Sequence, residues 1–231
     1  MTITTQPSLE VYWKNLSRVL PDFTPEQQRV AVAVYRELAK GKAVSLSQIG
    51  EALEEPSIEA LDLLNQEPLR RFIYRDENGR VAGFAGIATA PMHHEFNLSG
   101  RKLWTWCAWD GLFIPLILGE TAEIGSPDPE TGELVRLRVS PSGIEMADPE
   151  STVVSFLVPG AGDFETSTAN VMASFCHFVF FFASRDSSER WAAKHAGTFL
   201  YSLDEAWKLA ELLTEKQYGR ELARGRTSMQ R

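Results

Sequence analysis

The chain has 231 residues, with 23 Lys and Arg against 31 Asp and Glu, and a formal net charge of -8. A composition of 44% hydrophobic and 23% charged residues is typical of a globular protein and excludes disordered and fibrous classes. The acidic balance argues against a protein whose main task is to bind nucleic acid. Two cysteines cannot form a disulfide framework, so any role they have is as thiols.

The ends and the apolar stretches predict a cytoplasmic protein with no membrane partner. The N-terminus lacks the basic and apolar regions of a signal peptide. The two most apolar stretches are residues 103–119 and 171–183. The first is interrupted by Asp110 and Pro115, and the second is shorter than the roughly 20 residues that cross a bilayer. Both are therefore expected to be buried core elements.

Residues 1–88 predict a winged-helix-like unit. Thr24 and Ser45 each begin a capping box with a glutamine three residues later, so a helix is expected after each. A third helix is expected after Pro56, and residues 72–87 have the pattern of a strand, a turn and a strand. Three helices followed by a β-hairpin have the order of a winged helix.

The charge of this unit argues against DNA binding. Residues 1–80 hold 10 Lys and Arg against 12 Asp and Glu. The expected third helix, where base-reading side chains would lie, carries Glu59, Asp62 and Glu67. Acidic side chains repel phosphates instead of releasing counterions. We therefore expect a packing module beside the second domain and no nucleic-acid partner.

Residues 89–231 predict a mixed α/β domain with an antiparallel-rich sheet, which makes the fold class α+β. An apolar helix is expected over residues 103–118, with Pro115 kinking it or beginning a new element. Strands are expected over residues 134–139, 153–158 and 178–183. Helices are expected from Asp186 and after the capping box at Ser202.

The most unusual segment surrounds Cys107. Three of the six tryptophans, at positions 104, 106 and 109, fall within six residues around it. In a helix, Cys107 and Asp110 would form an i, i+3 pair on one face. A dry aromatic pocket would raise the pKa of the carboxyl, which suits a group that holds or relays a proton. The alternative is structural, because free cysteine commonly packs as a small hydrophobe.

Cys176 is the second cysteine, at the start of a buried apolar run. It either fills the core or faces Cys107 across it. Two thiols and a carboxylate with no histidine cluster do not suit zinc, which takes four ligands or three and a water, but they suit a soft ion or organometallic compound. The four histidines, at 93, 94, 177 and 195, are expected to be structural or solvated. The sequence has no nucleotide-binding or serine-hydrolase motif, so no organic cofactor is expected.

Four segments carry a resemblance to a known family. They are Trp106-Cys-Ala-Trp-Asp-Gly-Leu-Phe113, Val139-Ser-Pro-Ser-Gly-Ile144, Ser174-Phe-Cys176 with Phe181-Phe-Ala-Ser184, and Trp191-Ala-Ala-Lys-His-Ala-Gly197. In this order they resemble the organomercurial (alkylmercury) lyases, most clearly over residues 104–197. The resemblance implies that Cys107, Asp110 and Cys176 are catalytic and bind the mercury product. It also implies a winged-helix-like N-terminal unit that does not read DNA.

The implied reaction is protonolysis of a carbon–mercury bond, which yields a hydrocarbon and Hg(II). One thiolate captures the organomercurial, with Cys107 favoured and the order of the two thiols left open. Asp110 takes the proton of the other thiol, Cys176, and passes it to the leaving carbon. Hg(II) stays on the two cysteines until small thiols or a mercuric reductase remove it.

The sequence also departs from the family pattern. His177 stands where familiar members carry another cysteine directly after the second catalytic one, and a further structural cysteine of some members is absent. Two other functions stay open on the residues alone. One is a mercury- or copper-binding protein without turnover, which needs the same soft ligands. The other is a metal-responsive regulator that uses the winged-helix order.

Overall fold

The computed structural model describes residues 6–53, 62–157 and 167–228. Within these ranges the helices are α1 (Leu9–Val19), α2 (Pro25–Leu38), α3 (Leu46–Ala52), α4 (Ala108–Leu118), α5 (Thr168–Ser174), α6 (Arg185–Ala192) and α7 (Leu203–Ser228). The strands are β1 (Ile73–Arg75), β2 (Val81–Phe84), β3 (Ile87–Ala88), β4 (His94–Leu98), β5 (Arg101–Thr105), β6 (Ala122–Pro127), β7 (Leu134–Ser140), β8 (Gly143–Asp148), β9 (Val153–Leu157), β10 (Phe181–Phe182) and β11 (Thr198–Ser202). Among the described helices, none has the length and apolar character needed to cross a membrane.

The strands form two antiparallel sheets. The larger has the order β1-β2-β3-β5-β4-β6-β7-β8, and the smaller has the order β10-β9-β11. Every pairing in both sheets is antiparallel. Helix and antiparallel sheet therefore combine in one chain, as expected.

The first two helix starts are confirmed by their caps. Thr24 and Ser45 each accept a hydrogen bond from the N3 backbone N–H, and the N3 glutamine side chain bonds back to the cap. The expected third helix lies largely outside the described residues, and the part that is described forms a 3₁₀ turn over Leu63–Asn65. The hairpin is present as β1 and β2, and β3 continues it into the larger sheet. The boundary at residue 88 stays a prediction.

The helix expected over residues 103–118 is wrong in its first part. Residues 101–105 form β5, which pairs with β3 on one side and β4 on the other, and α4 begins only at Ala108. In a continuous apolar run, hydrophobic periodicity does not distinguish a buried strand from a buried helix. The conformation of this segment is therefore set by its pairing with the flanking strands. Pro115 lies inside α4 and does not begin a new element.

The strand expected over residues 178–183 is also mostly wrong. A 3₁₀ turn occupies Cys176–Phe178, and β10 contains only Phe181–Phe182. The Ser155 hydroxyl donates to the Phe178 carbonyl and accepts from the Phe180 N–H, which holds this segment as a turn. The other expected elements are confirmed as β7, β9, α6 and α7, with α6 beginning one residue earlier than expected.

Helix α4 lies in the centre of the core. Nine of its eleven residues are buried, and it packs against α7, α2 and the larger sheet. At Gly111 an added Cβ would lie 2.8 Å from Ile124 Cδ1, so a larger residue would force this side chain of β6 to shift. The N-terminus of α4 is thereby fixed in the interior, next to the turn between β2 and β3.

Candidate active site

Two separate elements bring the two cysteines and Asp110 together. Cys107 is the N-cap residue of α4, two residues after the end of β5, and Asp110 lies in the first turn of the same helix. Cys176 lies in the 3₁₀ turn that follows α5. The Ala108 N–H donates to the Val179 carbonyl at 3.0 Å, which ties this turn to the start of α4.

The three side chains form a compact donor set. The Cys107 and Cys176 sulfurs and a carboxylate oxygen of Asp110 all lie within 4.8 Å of one another. Both cysteines are free thiols, and all three residues are buried. A zinc–thiolate bond is about 2.3 Å long, so one soft ion between two sulfurs spans a separation of this order. The expectation that the two thiols share one site is therefore met by the geometry.

A cap hydrogen bond orients Asp110. The Cys107 backbone N–H donates to Asp110 Oδ2 at 2.7 Å, as a capping carboxylate does at a helix N-terminus. The Cys107 carbonyl accepts a hydrogen bond from Thr105 Oγ1 at 3.0 Å, so both the N–H and the carbonyl of Cys107 are held by side chains. The i, i+3 pairing expected for a helix is thus realised as a cap.

Gly86 packs against the other side of the carboxyl. A Cβ added at Gly86 would lie 2.6 Å from Asp110 Cγ, and the residue has a φ of +106°. Both the close approach and the backbone conformation therefore require glycine. The Gly86 carbonyl accepts from the Trp106 N–H at 2.9 Å, which couples this turn to the segment before Cys107.

Burial shifts the proton affinity of the whole set. Desolvation raises the pKa of the Asp110 carboxyl to about 7, against the hydrogen bonds from the Cys107 backbone and side chain. Desolvation, the hydrogen bond with Cys176 and the charge of Asp110 raise the pKa of the Cys107 thiol well above its usual range. For Cys176 the hydrogen bond from Cys107 favours the thiolate, but burial and Asp110 outweigh it and the pKa is raised. The site therefore holds protons near neutral pH.

A small apolar cavity of about 60 Å³ adjoins the site. Cys176 and Asp110 line it, whereas Cys107 does not. Half of its lining residues are aromatic, and most of the others are aliphatic or small. The remaining lining residues are Leu20, Phe23, Tyr35, Phe72, Ala85, Gly86, Trp106, Trp109, Phe113, Val171, Phe175, Leu213, Gln217 and Tyr218. A dry wall of this kind suits an apolar organic group next to a soft metal.

Some residues of the site have no distinctive signal in the sequence. Gly86, Tyr35 and Tyr218 reach the cavity from the turn between β2 and β3, from α2 and from α7. Only the packing of these distant segments reveals them. The aromatic pocket expected from the three tryptophans is present in part. Trp106 and Trp109 line the cavity, whereas Trp104 lies in β5 and does not.

The histidines lie outside the donor set. His177 is exposed on the 3₁₀ turn next to buried Cys176, so the departure from the family pattern points away from the site. His94 is buried, with Nδ1 2.8 Å from Ser126 Oγ, and burial lowers its pKa well below the usual value. His195 bonds to the Trp191 carbonyl through Nδ1 and stacks on its ring. These contacts agree with the structural role expected for His94 and His195.

Comparison with known proteins decides the family. The family model described as alkylmercury lyase matches residues 87–215. Curated relatives include the alkylmercury lyase of Streptomyces lividans, 34% identical over 178 residues, which cover 77% of this chain and 78% of the relative. The alkylmercury lyase of Pseudomonas putida is 33% identical over 185 residues, covering 80% and 82%. The chain belongs to the alkylmercury lyase family.

A solved structure supports the same fold. A crystal structure of the mercury-bound form of MerB2 superposes with a TM-score of 0.66 and covers 90% of this chain and 97% of its own. At 21% identity this likeness concerns the fold alone. The resemblance to the alkylmercury lyases is therefore confirmed by the family model and the sequence relatives, and the solved structure agrees with it in fold. An enzyme of this family is the function class that these findings support.

Proposed function

We propose that this alkylmercury lyase family member cleaves the carbon–mercury bond of organomercurials through Cys107, Cys176 and Asp110. The observation that carries the proposal is the meeting of two sulfurs and one carboxylate oxygen within 4.8 Å beside an apolar cavity. Sulfur is the ligand that soft metals prefer. A carboxyl with a pKa of about 7 can both take and give a proton at neutral pH.

The lining of the cavity favours Cys176 as the first nucleophile. An organomercurial R–Hg–X in the cavity meets Cys176 directly, whereas Cys107 lies behind the wall with no exposed surface. The Cys176 sulfur displaces X from mercury, its proton leaves with X, and a Cys176–S–Hg–R adduct forms. This order is the reverse of the one favoured by the resemblance.

Asp110 then moves the proton that breaks the bond. Its carboxylate takes the proton of the Cys107 thiol, with which it shares a hydrogen bond, and the Cys107 thiolate adds to mercury. The second sulfur increases electron density on the metal. The Asp110 carboxylic acid protonates the carbon, R–H leaves with both electrons of the carbon–mercury bond, and Hg(II) stays on two thiolates. The balance is R–Hg–X plus two thiols giving R–H, HX and mercury dithiolate.

Release of the product needs other thiols. Two small thiols exchange with Cys107 and Cys176, which regain their protons while Hg(II) leaves as a dithiolate. A mercuric reductase is the partner class that would consume this product. No resident organic cofactor is part of the scheme, and mercury is substrate and product. We place the reaction in the cytoplasm, where thiols stay reduced.

We also propose that residues 1–88 act as a winged-helix-like packing unit for the catalytic residues 89–231. The support is that α2 and the β2–β3 turn supply Tyr35, Ala85 and Gly86 to the wall of the cavity. Acidic and basic residues are nearly balanced over residues 1–80, so this unit has no charge excess that favours phosphate.

The alternative is stoichiometric binding of mercury or copper without turnover, since the same sulfurs are soft ligands. The two functions differ in whether the wild type releases hydrocarbon and whether that release depends on Asp110. A binding protein keeps its metal when Asp110 is replaced and releases no hydrocarbon. A lyase releases hydrocarbon only when Asp110 can carry the proton.

The deciding experiment is a gas-chromatographic assay of methane from methylmercury in the presence of excess glutathione. We expect methane from the wild type and none above background from Cys107→Ala or Cys176→Ala. Asp110→Asn is expected to bind one Hg(II) per chain but to release no methane. The control is His177→Ala, whose exposed side chain lies outside the site, and which is expected to keep wild-type turnover. Absence of methane from the wild type would overturn the proposal.

The order of attack is tested by mass spectrometry of unreduced adducts. With methylmercury and no other thiol, Cys107→Ser is expected to keep a methylmercury adduct on Cys176. Cys176→Ser is expected to form the adduct much more slowly, because the remaining sulfur does not line the cavity. The opposite pattern would restore Cys107 as the first nucleophile.

A further inference from the structure

Two buried tyrosines lie beside Asp110 and have no role in the scheme above. Tyr35 on α2 and Tyr218 on α7 are both nearly inaccessible to solvent and both line the cavity. Their rings meet edge to face, with centroids 5.8 Å apart. Tyr35 Oη lies 2.6 Å from the Ala85 carbonyl and 3.4 Å from Tyr218 Oη.

The directions of these hydrogen bonds follow from the number of protons. A carbonyl only accepts, so the single hydroxyl proton of Tyr35 goes to Ala85. Tyr218 must then be the donor in the longer bond to Tyr35. The short bond from Tyr35 to the Ala85 carbonyl is therefore the stronger of the two.

The carbonyl that Tyr35 binds belongs to a strained turn. Ala85 has a φ of +41°, in the left-handed region that a residue with a Cβ rarely adopts. Such a conformation persists only where the surroundings hold it. Here the Ala85 N–H donates to the Phe72 carbonyl at 3.0 Å, and Tyr35 holds the carbonyl side of the same residue.

The next residue in the turn is Gly86, which packs directly on the Asp110 carboxyl. The Gly86 carbonyl also accepts from the Trp106 N–H, one residue before Cys107. A change in the Ala85 peptide is thus passed to both sides of the catalytic carboxyl. One hydroxyl on α2 is linked to the reacting group through a single turn.

We propose that Tyr35 is a positioning residue of the lyase reaction, whose hydroxyl holds the Ala85–Gly86 turn against Asp110 so that the carboxyl stays aligned with both sulfurs. The expected loss of rate rests on the proposed function, whereas the expected loosening of the turn rests on the hydrogen bonds alone. Tyr35 touches neither sulfur in this scheme and does not carry the transferred proton.

Tyr35→Phe is the direct test, because phenylalanine keeps the ring contacts with Phe84 and Tyr218 and removes only the hydroxyl. Loss of one buried hydrogen bond corresponds to a factor of about ten in the opening of the turn. Hydrogen exchange followed by NMR is therefore expected to be about tenfold faster at the amides of Ala85, Trp106 and Cys107. Exchange of the Phe96 amide, in the centre of the large sheet, is expected to stay unchanged.

The kinetic readout separates positioning from loss of fold. We expect Tyr35→Phe to have kcat for methane release about tenfold lower, with KM and the bound Hg(II) per chain unchanged, since misalignment of a reacting group costs rate and not binding. A variant that is merely misfolded loses Hg(II) sites and kcat in parallel. The matched control is Tyr201→Phe, which removes another hydroxyl that donates to a backbone carbonyl, that of Pro7, away from the cavity. It is expected to keep wild-type kcat.

The outcomes separate this inference from the proposed function. Unchanged exchange at Ala85, Trp106 and Cys107 in Tyr35→Phe would overturn the inference whatever the activity. Faster exchange together with an inactive wild type would overturn the proposed function and leave the turn's role intact. A larger loss of kcat in Tyr218→Phe than in Tyr35→Phe would also overturn the inference, because it would indicate proton transfer through the hydroxyl pair.

Discussion

Replacing Asp110 by asparagine should stabilise the metal-free protein relative to the wild type, by an amount that increases as the pH rises. Burial raises the pKa of the Asp110 carboxyl from 3.8 to about 7, so between these values the native state holds a proton that the unfolded chain has lost. Stability falls with pH wherever the native state binds more protons. The contribution of Asp110 to the stability of the wild type therefore falls from pH 4 to pH 7, and the loss is complete above the folded pKa.

The size of this effect follows from the difference between the two pKa values. At about 1.4 kcal/mol per pH unit, a difference of about 3 corresponds to about 4 kcal/mol. Asparagine has no such proton to lose, and its side-chain oxygen can still accept from the Cys107 N–H. The free energy of unfolding of Asp110→Asn, minus that of the wild type, is thus expected to rise by up to about 4 kcal/mol between pH 4 and pH 7.

Urea unfolding of the reduced, metal-free proteins, repeated at half-unit steps of pH, measures this difference. The other ionisable groups titrate in both the wild type and the variant, so their effects cancel. Asp128→Asn is the matched control. Asp128 is buried, but hydrogen bonds from Ser187 and three backbone N–H groups outweigh its desolvation and lower its pKa. Its carboxylate stabilises the fold above the unfolded pKa, so Asp128→Asn should be destabilised at neutral pH, with the gap closing in acid. A difference for Asp110→Asn that stays constant from pH 4.5 to 7.5 would refute the reasoning.

Two further predictions concern the wall of the cavity. Gly86→Ala should lower kcat for methane release at least about tenfold, because the new Cβ displaces the Asp110 carboxyl, while Gly79→Ala, with a similar positive φ but open space, should keep wild-type kcat in the same assay. Phe113→Leu should raise kcat/KM for phenylmercury relative to methylmercury about tenfold, because the loss of three carbon atoms widens the pocket, and a single methylene in an apolar pocket is already worth about tenfold in discrimination. A ratio unchanged in Phe113→Leu would contradict the view that this cavity receives the organic group.

Local chemistry in the sequence was sufficient for the features that depend on neighbouring residues. The helix starts at Thr24 and Ser45 follow from side chains that satisfy free N–H groups within three residues. Strand β7 follows from its alternation of exposed and buried residues. The pairing of Cys107 with Asp110 has the same origin, since a carboxylate three residues after an N-cap reaches back to its N–H.

Local chemistry was not sufficient where an apolar run lacks a period. Residues 101–105 became a strand because β3 and β4 flank them on both sides, and the segment after Cys176 became a turn because Ser155 binds two of its backbone groups. Strand β4 is next to β5 in the sequence, but β3 and Ser155 are distant from the segments that they hold. Propensity gives way where long-range hydrogen bonds satisfy a buried backbone.

The sequence alone determined that two thiols and one carboxyl could form a soft-metal site, because their residue types and the i, i+3 spacing are local facts and the family resemblance rests on them. Tertiary structure decided that the site forms. Cys176 is 69 residues beyond Cys107 in the chain, and only the packing of its turn on the start of α4 brings the sulfurs together. The same packing removes water from Asp110 and raises its pKa, which no spacing along the chain can do.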